Sequence, residues 1–193
     1  MPHYSLQHLN LDEADHNPIR DRVLAWLARP HVREWWGEPD EAFALLLKRS
    51  VEQAAVFLCA DNREIGCACW QTLSPEDREI IFGSPEAESG VASPTAKIMD
   101  VDLFIGEAAE LGRGAGPAFL RRIAARIPGE YPGFRAGLCV AEENERSLRA
   151  ALKAGFQKRH CFEDPEDGPT WLLIRSKDEQ VGDDPDGAAA FFE

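Results

Sequence analysis

With 193 residues and a mass of 21.5 kDa, the chain is long enough for one hydrophobic core and short for two. Its 44% hydrophobic content excludes a disordered or collagen-like chain. The 34 acids against 21 Lys and Arg give a net charge of −13, the wrong sign for nucleic acid or an anionic membrane surface, and favour a cationic or neutral partner.

The five cysteines (Cys59, Cys67, Cys69, Cys139 and Cys161) are an odd number and sit in or beside apolar runs, as reduced core thiols do. Neither a signal-like N-terminus nor a run of about 18 apolar residues is present, so a cytoplasmic protein is expected.

Tyr4 to Leu9 predicts a first strand, and Asn17-Pro18 an N-cap with proline at the first helical position, opening a helix that Pro30 ends. HVREWWGEP reads as a short turn or helix carrying Trp35 and Trp36. Residues 40–50, acidic first and basic last, read as an amphipathic helix aligned with the macrodipole. Ala54 to Ala60 and Ile65 to Leu73 predict a hairpin closed by Asp61-Asn62-Arg63-Glu64. Acids, prolines and glycines from Ser74 to Thr95 predict a long loop. Strand and helix then alternate through IMDVDLFI, PAFLRRIAARI, FRAGLCVA, NERSLRAALKA, GFQKRHCFE and TWLLIRS, which implies a mixed sheet covered by helices. Asp164 to Gly168 marks a last hairpin turn. Residues 1–176 form the expected domain, and 177–193 an acidic disordered tail.

Chemistry concentrates between Ile98 and Ile127. On IMDVDLFI the alternation of side chains puts Met99, Val101, Leu103 and Ile105 on one face and Asp100, Asp102 and Phe104 on the other. Two carboxylates two residues apart disfavour each other's ionisation, so one should have a raised pKa, and the pair can hold or deprotonate an ammonium. The plain alternative is a half-exposed strand whose acids meet solvent. Leu111-Gly112-Arg113-Gly114-Ala115-Gly116-Pro117 then enters a helix; its glycines allow close approach of a ligand, and free N–H groups at a helix start suit a phosphate. Arg113 can add a charge-assisted contact. The run lacks the Gly-Lys-Ser/Thr of a P-loop and the G-x-G-x-x-G of a dinucleotide fold, and a ligand-free turn is the alternative. Asn144-Glu145-Arg146-Ser147, closed by Ala154-Gly155-Phe156, reads by itself as a capped helix. Trp35 and Trp36 can wall a pocket or fill core. The histidines and cysteines show no metal-ligand spacing, so no metal is assigned.

The order strand, Gly-rich turn, helix, strand, then an N-x-x-S helix ending in A-G-F, resembles the Gcn5-related N-acetyltransferase (GNAT) family. Within it, HVREWWGEP and DLFIGEAAELGRGAG look like the bacterial aminoglycoside 6′-N-acetyltransferase branch, over about residues 3–176. The resemblance implies an α/β fold with a mixed, mainly antiparallel sheet flanked by helices and splayed central strands. It further implies acetyl-CoA held between the strands at 98–105 and 134–141, with pantetheine on main chain near Phe104 and Ile105 and the pyrophosphate on Gly112, Arg113, Gly114, Ala115 and Gly116. Asn144 would contact the cofactor. Asp102, assisted by Asp100, would face the acceptor amine, with Trp35 and Trp36 at the acceptor pocket. The chain departs from the family at Leu111, where Arg or Gln is usual, and at Ala151, where a tyrosine commonly protonates the leaving thiolate. The expected reaction is direct acetyl transfer to a primary amine, an aminoglycoside or polyamine-like cation, by a monomer or homodimer. A non-catalytic acyl-CoA-binding module, or an enzyme acting on a peptide N-terminus or a siderophore hydroxylamine, is the alternative.

Overall fold

The computed structural model describes residues 2–11, 18–52, 54–83 and 97–175. Seven strands, β1 (Tyr4–His8), β2 (Ala55–Ala60), β3 (Arg63–Thr72), β4 (Ile98–Ile105), β5 (Arg135–Ala141), β6 (Phe156–Asp164) and β7 (Gly168–Arg175), form one sheet in the order β1-β2-β3-β4-β5-β7-β6. Every pairing is antiparallel except β4 with β5. Helices α1 (Pro18–Leu27), α2 (Pro30–Trp36), α3 (Pro39–Val51), α4 (Pro75–Phe82), α5 (Ala115–Glu130) and α6 (Glu145–Lys153) cover both faces.

The alternation read on β4 sorts the core. Met99, Val101 and Ile105 join Phe119, Ile123 and Ile127 of α5 and Leu148 and Ala151 of α6 in the larger cluster. On the other face Phe104 joins α1, α2 and α3 over Phe57, Cys67 and Cys69, while Ile98 joins α4 under Phe162, Leu172 and Ile174. Asp100 and Asp102 therefore stand on the same strand face between two apolar clusters, in the seam that neither fills.

Two expectations are corrected. The hairpin between β2 and β3 turns on Asp61 and Asn62 alone, both at positive φ (50° and 61°), as a two-residue turn between twisted strands requires; Arg63 and Glu64 already belong to β3. The loop expected at 74–95 opens with an eight-residue helix, α4. Its Ser74 hydroxyl accepts the Asp77 N–H at 3.0 Å, Asp77 Oδ2 accepts the Ser74 N–H at 2.7 Å, and Pro75 starts the first turn. Ile81 and Phe82 are buried, so the segment had an apolar face as well as acids. The rest of the expected loop, Asn17 and the expected tail at 177–193 lie outside the described residues.

Candidate active site

A splay in the sheet creates the site. β4 pairs with β5 only at Ile98–Arg135, Met99–Ala136 and Asp100–Gly137, and beyond Asp100 the two strands part. On the other side β4 stays zipped to β3 as far as Ile105–Gly66. The Gly106 N–H donates to Ile65 O at 2.7 Å, which fixes the alternation of this antiparallel ladder: Asp100, Asp102 and Phe104 give their main-chain groups to β3, and Leu103 and Ile105 turn theirs toward the parted β5. Of the expected pair Phe104 and Ile105, only Ile105 turns its main chain to the open edge of β4, where Leu103 is its neighbour. Phe104 instead packs its ring edge-on against Trp36 (4.9 Å between centroids) and Trp26 (6.5 Å).

The opening is part of a cleft of about 860 Å³ that passes from α5 and α6 on one side of the sheet to α2 on the other. One end is walled by Leu111, Gly112, Gly114, Ala115 and Gly116 with Asn144 and α6; the other by His31, Trp35, Trp36 and Asp167; Asp102 and Cys139 lie on the wall between them. At the first end Gly114 sits in the left-handed region (φ 91°) as N-cap of α5, and Gly112 is likewise at φ 74°. A Cβ built at either would meet nothing within 4 Å, so the loop faces open space. Its amides precede the first turn of α5, where N–H groups have no intrahelical acceptor and the helix dipole is positive. Asn144 Oδ1 caps α6 by accepting the Ser147 N–H at 3.1 Å, which leaves its amide N–H groups for a ligand.

Arg113 does not line the cleft. Its Nε lies 3.9 Å from the buried carboxylate of Glu110, which Arg63 also engages at 2.6 Å, so the expected phosphate contact from this guanidinium is not prepared. The cations on the cleft wall come from α6 instead: Arg146, Arg149 and Lys153. Sequence reasoning missed them because only contact with the Gly-rich loop distinguishes them from an ordinary solvated helix face.

At the other end, α2 is fixed in place from the end of β4. Trp26 Nε1 and Arg29 donate to Glu107 at 2.8 and 3.0 Å, and Arg29 reaches Gly106 O at 2.6 Å. These two donors hold the Glu107 carboxyl below its ordinary range. His31 Nε2 lies 3.0 Å from Ile105 O, a contact in which the ring N–H donates. The two tryptophans divide the roles expected of them: Trp36 is partly buried on Phe104, and Trp35 stays 39% exposed on the cleft wall, free to stack on a ligand.

The two carboxylates also divide. Asp102, opposite Cys69, is on the cleft wall; Asp100, opposite Gln71, lies behind it. Burial pushes Asp100 well above the usual carboxylate range, helped by the charges of Asp102 and Asp77 and opposed by hydrogen bonds from Cys139, and its Oδ1 has no hydrogen-bond partner. Burial lifts Asp102 to about 6, with the Arg49 guanidinium holding it down. Arg49, only 13% exposed, bonds Gln71 Oε1 and Glu52 at 2.6 Å. Asp100 and Asp102 are both half-buried, and Asp100 has one carboxyl oxygen shut off from solvent. Of the two, Asp100 holds its proton to the higher pH, and Asp102 is the carboxylate that faces the cleft. Cys139 is held protonated by burial and by Asp100, so it is a poor nucleophile. No tyrosine lines the cleft among the described residues, and Ala151, on the inner face of α6, is fully buried rather than facing it. No group of three His, Cys, Asp or Glu among the described residues is placed to hold a metal, and no helix among them is long and apolar enough to cross a membrane.

Comparison with known proteins agrees with this architecture. A family model described as an acetyltransferase (GNAT) domain matches residues 20–163. The aminoglycoside N(6′)-acetyltransferases type 1 of Klebsiella pneumoniae and Serratia marcescens are each 22% identical over 163 residues, covering 80% of this chain and 77% of theirs. Aminoglycoside acetyltransferase AAC(6′)-Ib in complex with coenzyme A has the same fold, with a TM-score of 0.65 at 20% identity over 91% of this chain and 95% of that one. An aminoglycoside N(6′)-acetyltransferase of Legionella pneumophila gives 0.60 at 15% identity, over 89% and 91%.

Proposed function

The chain belongs to the GNAT acetyltransferase family, and from that membership we propose that it moves the acetyl group of acetyl-CoA directly onto a primary amine of a small cation, an aminoglycoside or a polyamine-like molecule. The observation that carries this reading is the placement of the Asp102 carboxyl on the cleft wall where β4 and β5 part.

The residues present fit the cofactor. Open-faced Gly112 and Gly114, followed by the first turn of α5, suit its diphosphate, and the main-chain edge of Leu103 and Ile105 suits an amide-bearing arm that adds to β4 like a short strand. Acetyl-CoA supplies an activated thioester. An alkylammonium is protonated at pH 7 and cannot attack; Asp102 would take that proton, the freed nitrogen would bond the thioester carbon as the carbon–sulfur bond breaks with its electron pair on sulfur, and the second proton of the nitrogen would pass through water toward the thiolate. A main-chain N–H on the open edge of β4 faces the carbonyl oxygen as charge develops there. A thiol pKa near 8.5 makes the thiolate a tolerable leaving group that water protonates, which accommodates a cleft without a phenol. The half-buried Cys139, its thiol pKa pushed well up, argues against an acyl-enzyme. The seam of Asp77, Asp100 and Asp102, with Asp167 at the rim, favours a cationic acceptor. The curated relatives named above are aminoglycoside acetyltransferases, which supports the same class.

The test is release of free thiol from acetyl-CoA across aminoglycosides, polyamines, peptides and hydroxylamines. Release that depends on an aminoglycoside or polyamine is expected. Release with peptides or hydroxylamines alone would move the acceptor class, and tight acetyl-CoA binding without amine-dependent release would make the chain a non-catalytic acyl-CoA-binding module, the reading that the lack of a cleft tyrosine favours.

A further inference from the structure

In a chain with 34 acids and 21 Lys and Arg, three cations gathered on one wall of the cleft are the exception. Arg146, Arg149 and Lys153 line it from α6, and none of the steps above uses them. Their spacing puts Arg146 four residues before Ala150 and Lys153 three after it, on one helical face. Ala150 is the point where α6 meets the Gly-rich loop: a Cβ built at Gly116 would lie 3.5 Å from the Ala150 Cβ. The cationic stripe therefore flanks the loop that suits the diphosphate. Arg149 is already paired with Glu145 at 2.7 Å. Arg146 and Lys153 are exposed and have no carboxylate partner among the described residues. Helix-start amides carry about half an elementary charge, a match for a diphosphate held in place but not for a further dianionic group. Two unpaired cations about 10 Å apart along the helix, on flexible stems, suit a phosphomonoester bracketed between them.

We propose that Arg146 and Lys153 bind the 3′-phosphomonoester of coenzyme A, and that this stripe on α6 makes the chain select the coenzyme over its 3′-dephospho form. The proposal rests on the reading that coenzyme A occupies the cleft. It assigns the third phosphate to α6 and leaves the diphosphate to the Gly-rich loop.

Titration calorimetry with coenzyme A and with 3′-dephospho-coenzyme A, on the full chain and on Arg146→Gln/Lys153→Gln, tests it. The unaltered chain should bind coenzyme A about tenfold tighter than the dephospho form, the scale of two charge-assisted contacts at a solvent-exposed rim. The double variant should lose that gap by weakening coenzyme A alone, with the dephospho form unchanged within about twofold, which also shows that the variant is folded. Arg149→Gln, whose cation is already engaged, should narrow the gap less. Equal affinity of the unaltered chain for the two ligands would overturn the proposal alone. So would equal weakening of both ligands in the double variant, which would put the cations on the diphosphate. Failure of both ligands to bind would overturn the proposal together with the reading beneath it.

Discussion

Replacing Asp102 by Asn removes the base and keeps the shape of the wall. The structure sets the scale of the loss. With its pKa at about 6, Asp102 is roughly nine-tenths ionised at pH 7, so the wild-type protein operates with this base available. General-base help contributes about 10²–10⁴-fold, and kcat/KM for the amine should fall by about 10² or more in Asp102→Asn. Cofactor affinity should hold, because the loop at Gly112–Gly116 and the edge of β4 are untouched. The pH profile gives a second signature. Below about 6 the carboxyl carries a proton and cannot accept another, so wild-type kcat/KM should fall about tenfold per pH unit on the acid side and level off above it; the variant should lack that limb. The assay is thiol release at subsaturating amine from pH 5 to 8, with acetyl-CoA binding measured in parallel. Near wild-type turnover by Asp102→Asn at pH 7 would refute the reasoning and move the base to Asp77 or Asp167.

Arg49→Gln removes the cation that holds Asp102 down, so the acid limb of kcat/KM should move above 6, lowering activity at pH 7 more than at pH 8, with Arg49→Lys restoring part of the shift. Asp100→Asn should cost less activity than Asp102→Asn, because Asp100 stands behind the cleft wall and its raised pKa makes it the less available of the two carboxylates. Its stability should show the burial directly: a carboxyl with a raised folded pKa makes the folded state bind the extra proton, so wild-type stability is lost as pH rises from about 4 through the folded value, and the Tm difference should turn in favour of Asp100→Asn between pH 5 and 8. Gly66→Ala would drive a Cβ to 2.1 Å from Phe104 O and 3.0 Å from the Ile105 Cα, both backbone atoms of the splayed strand, and should lower stability by about 1–3 kcal/mol in thermal or denaturant unfolding.

Local chemistry was legible in the sequence where the physics is local. The period of two on β4, the glycines before α5 and the Asn144 cap each act within a few residues, and the structure uses each of them. Even α4 had a local signal, since Ser74-Pro75 with Asp77 is a capping box ahead of Ile80, Ile81 and Phe82; counting acids and prolines over the whole span from 74 to 95 hid it. Arg113 shows the opposite case. Its direction is set by Glu110, and Glu110 is buried through Arg63, a residue 47 positions away in β3. Composition around the Gly-rich loop carries no trace of that pairing.

The division of labour between Asp100 and Asp102 has the same long-range origin. Both residues share a face, so alternation treats them alike. What separates them is the point at which β5 stops following β4. Pairing ends at Asp100–Gly137, and there a side chain on Gly137 would strike Ile98 Cγ2 at 2.5 Å, so glycine gives the Ile98 side chain its room at the last paired step. Asp100 stands on the paired side of that point, against Cys139, with Oδ1 shut off from solvent and its pKa held well above the usual carboxylate range. Asp102, one pleat further on, opens into the cleft with Arg49 close enough to hold its pKa near 6. A single step along the strand thus separates two acids that alternation treats alike: the one behind the cleft wall is held to the higher pKa, and the one near 6 faces the cleft.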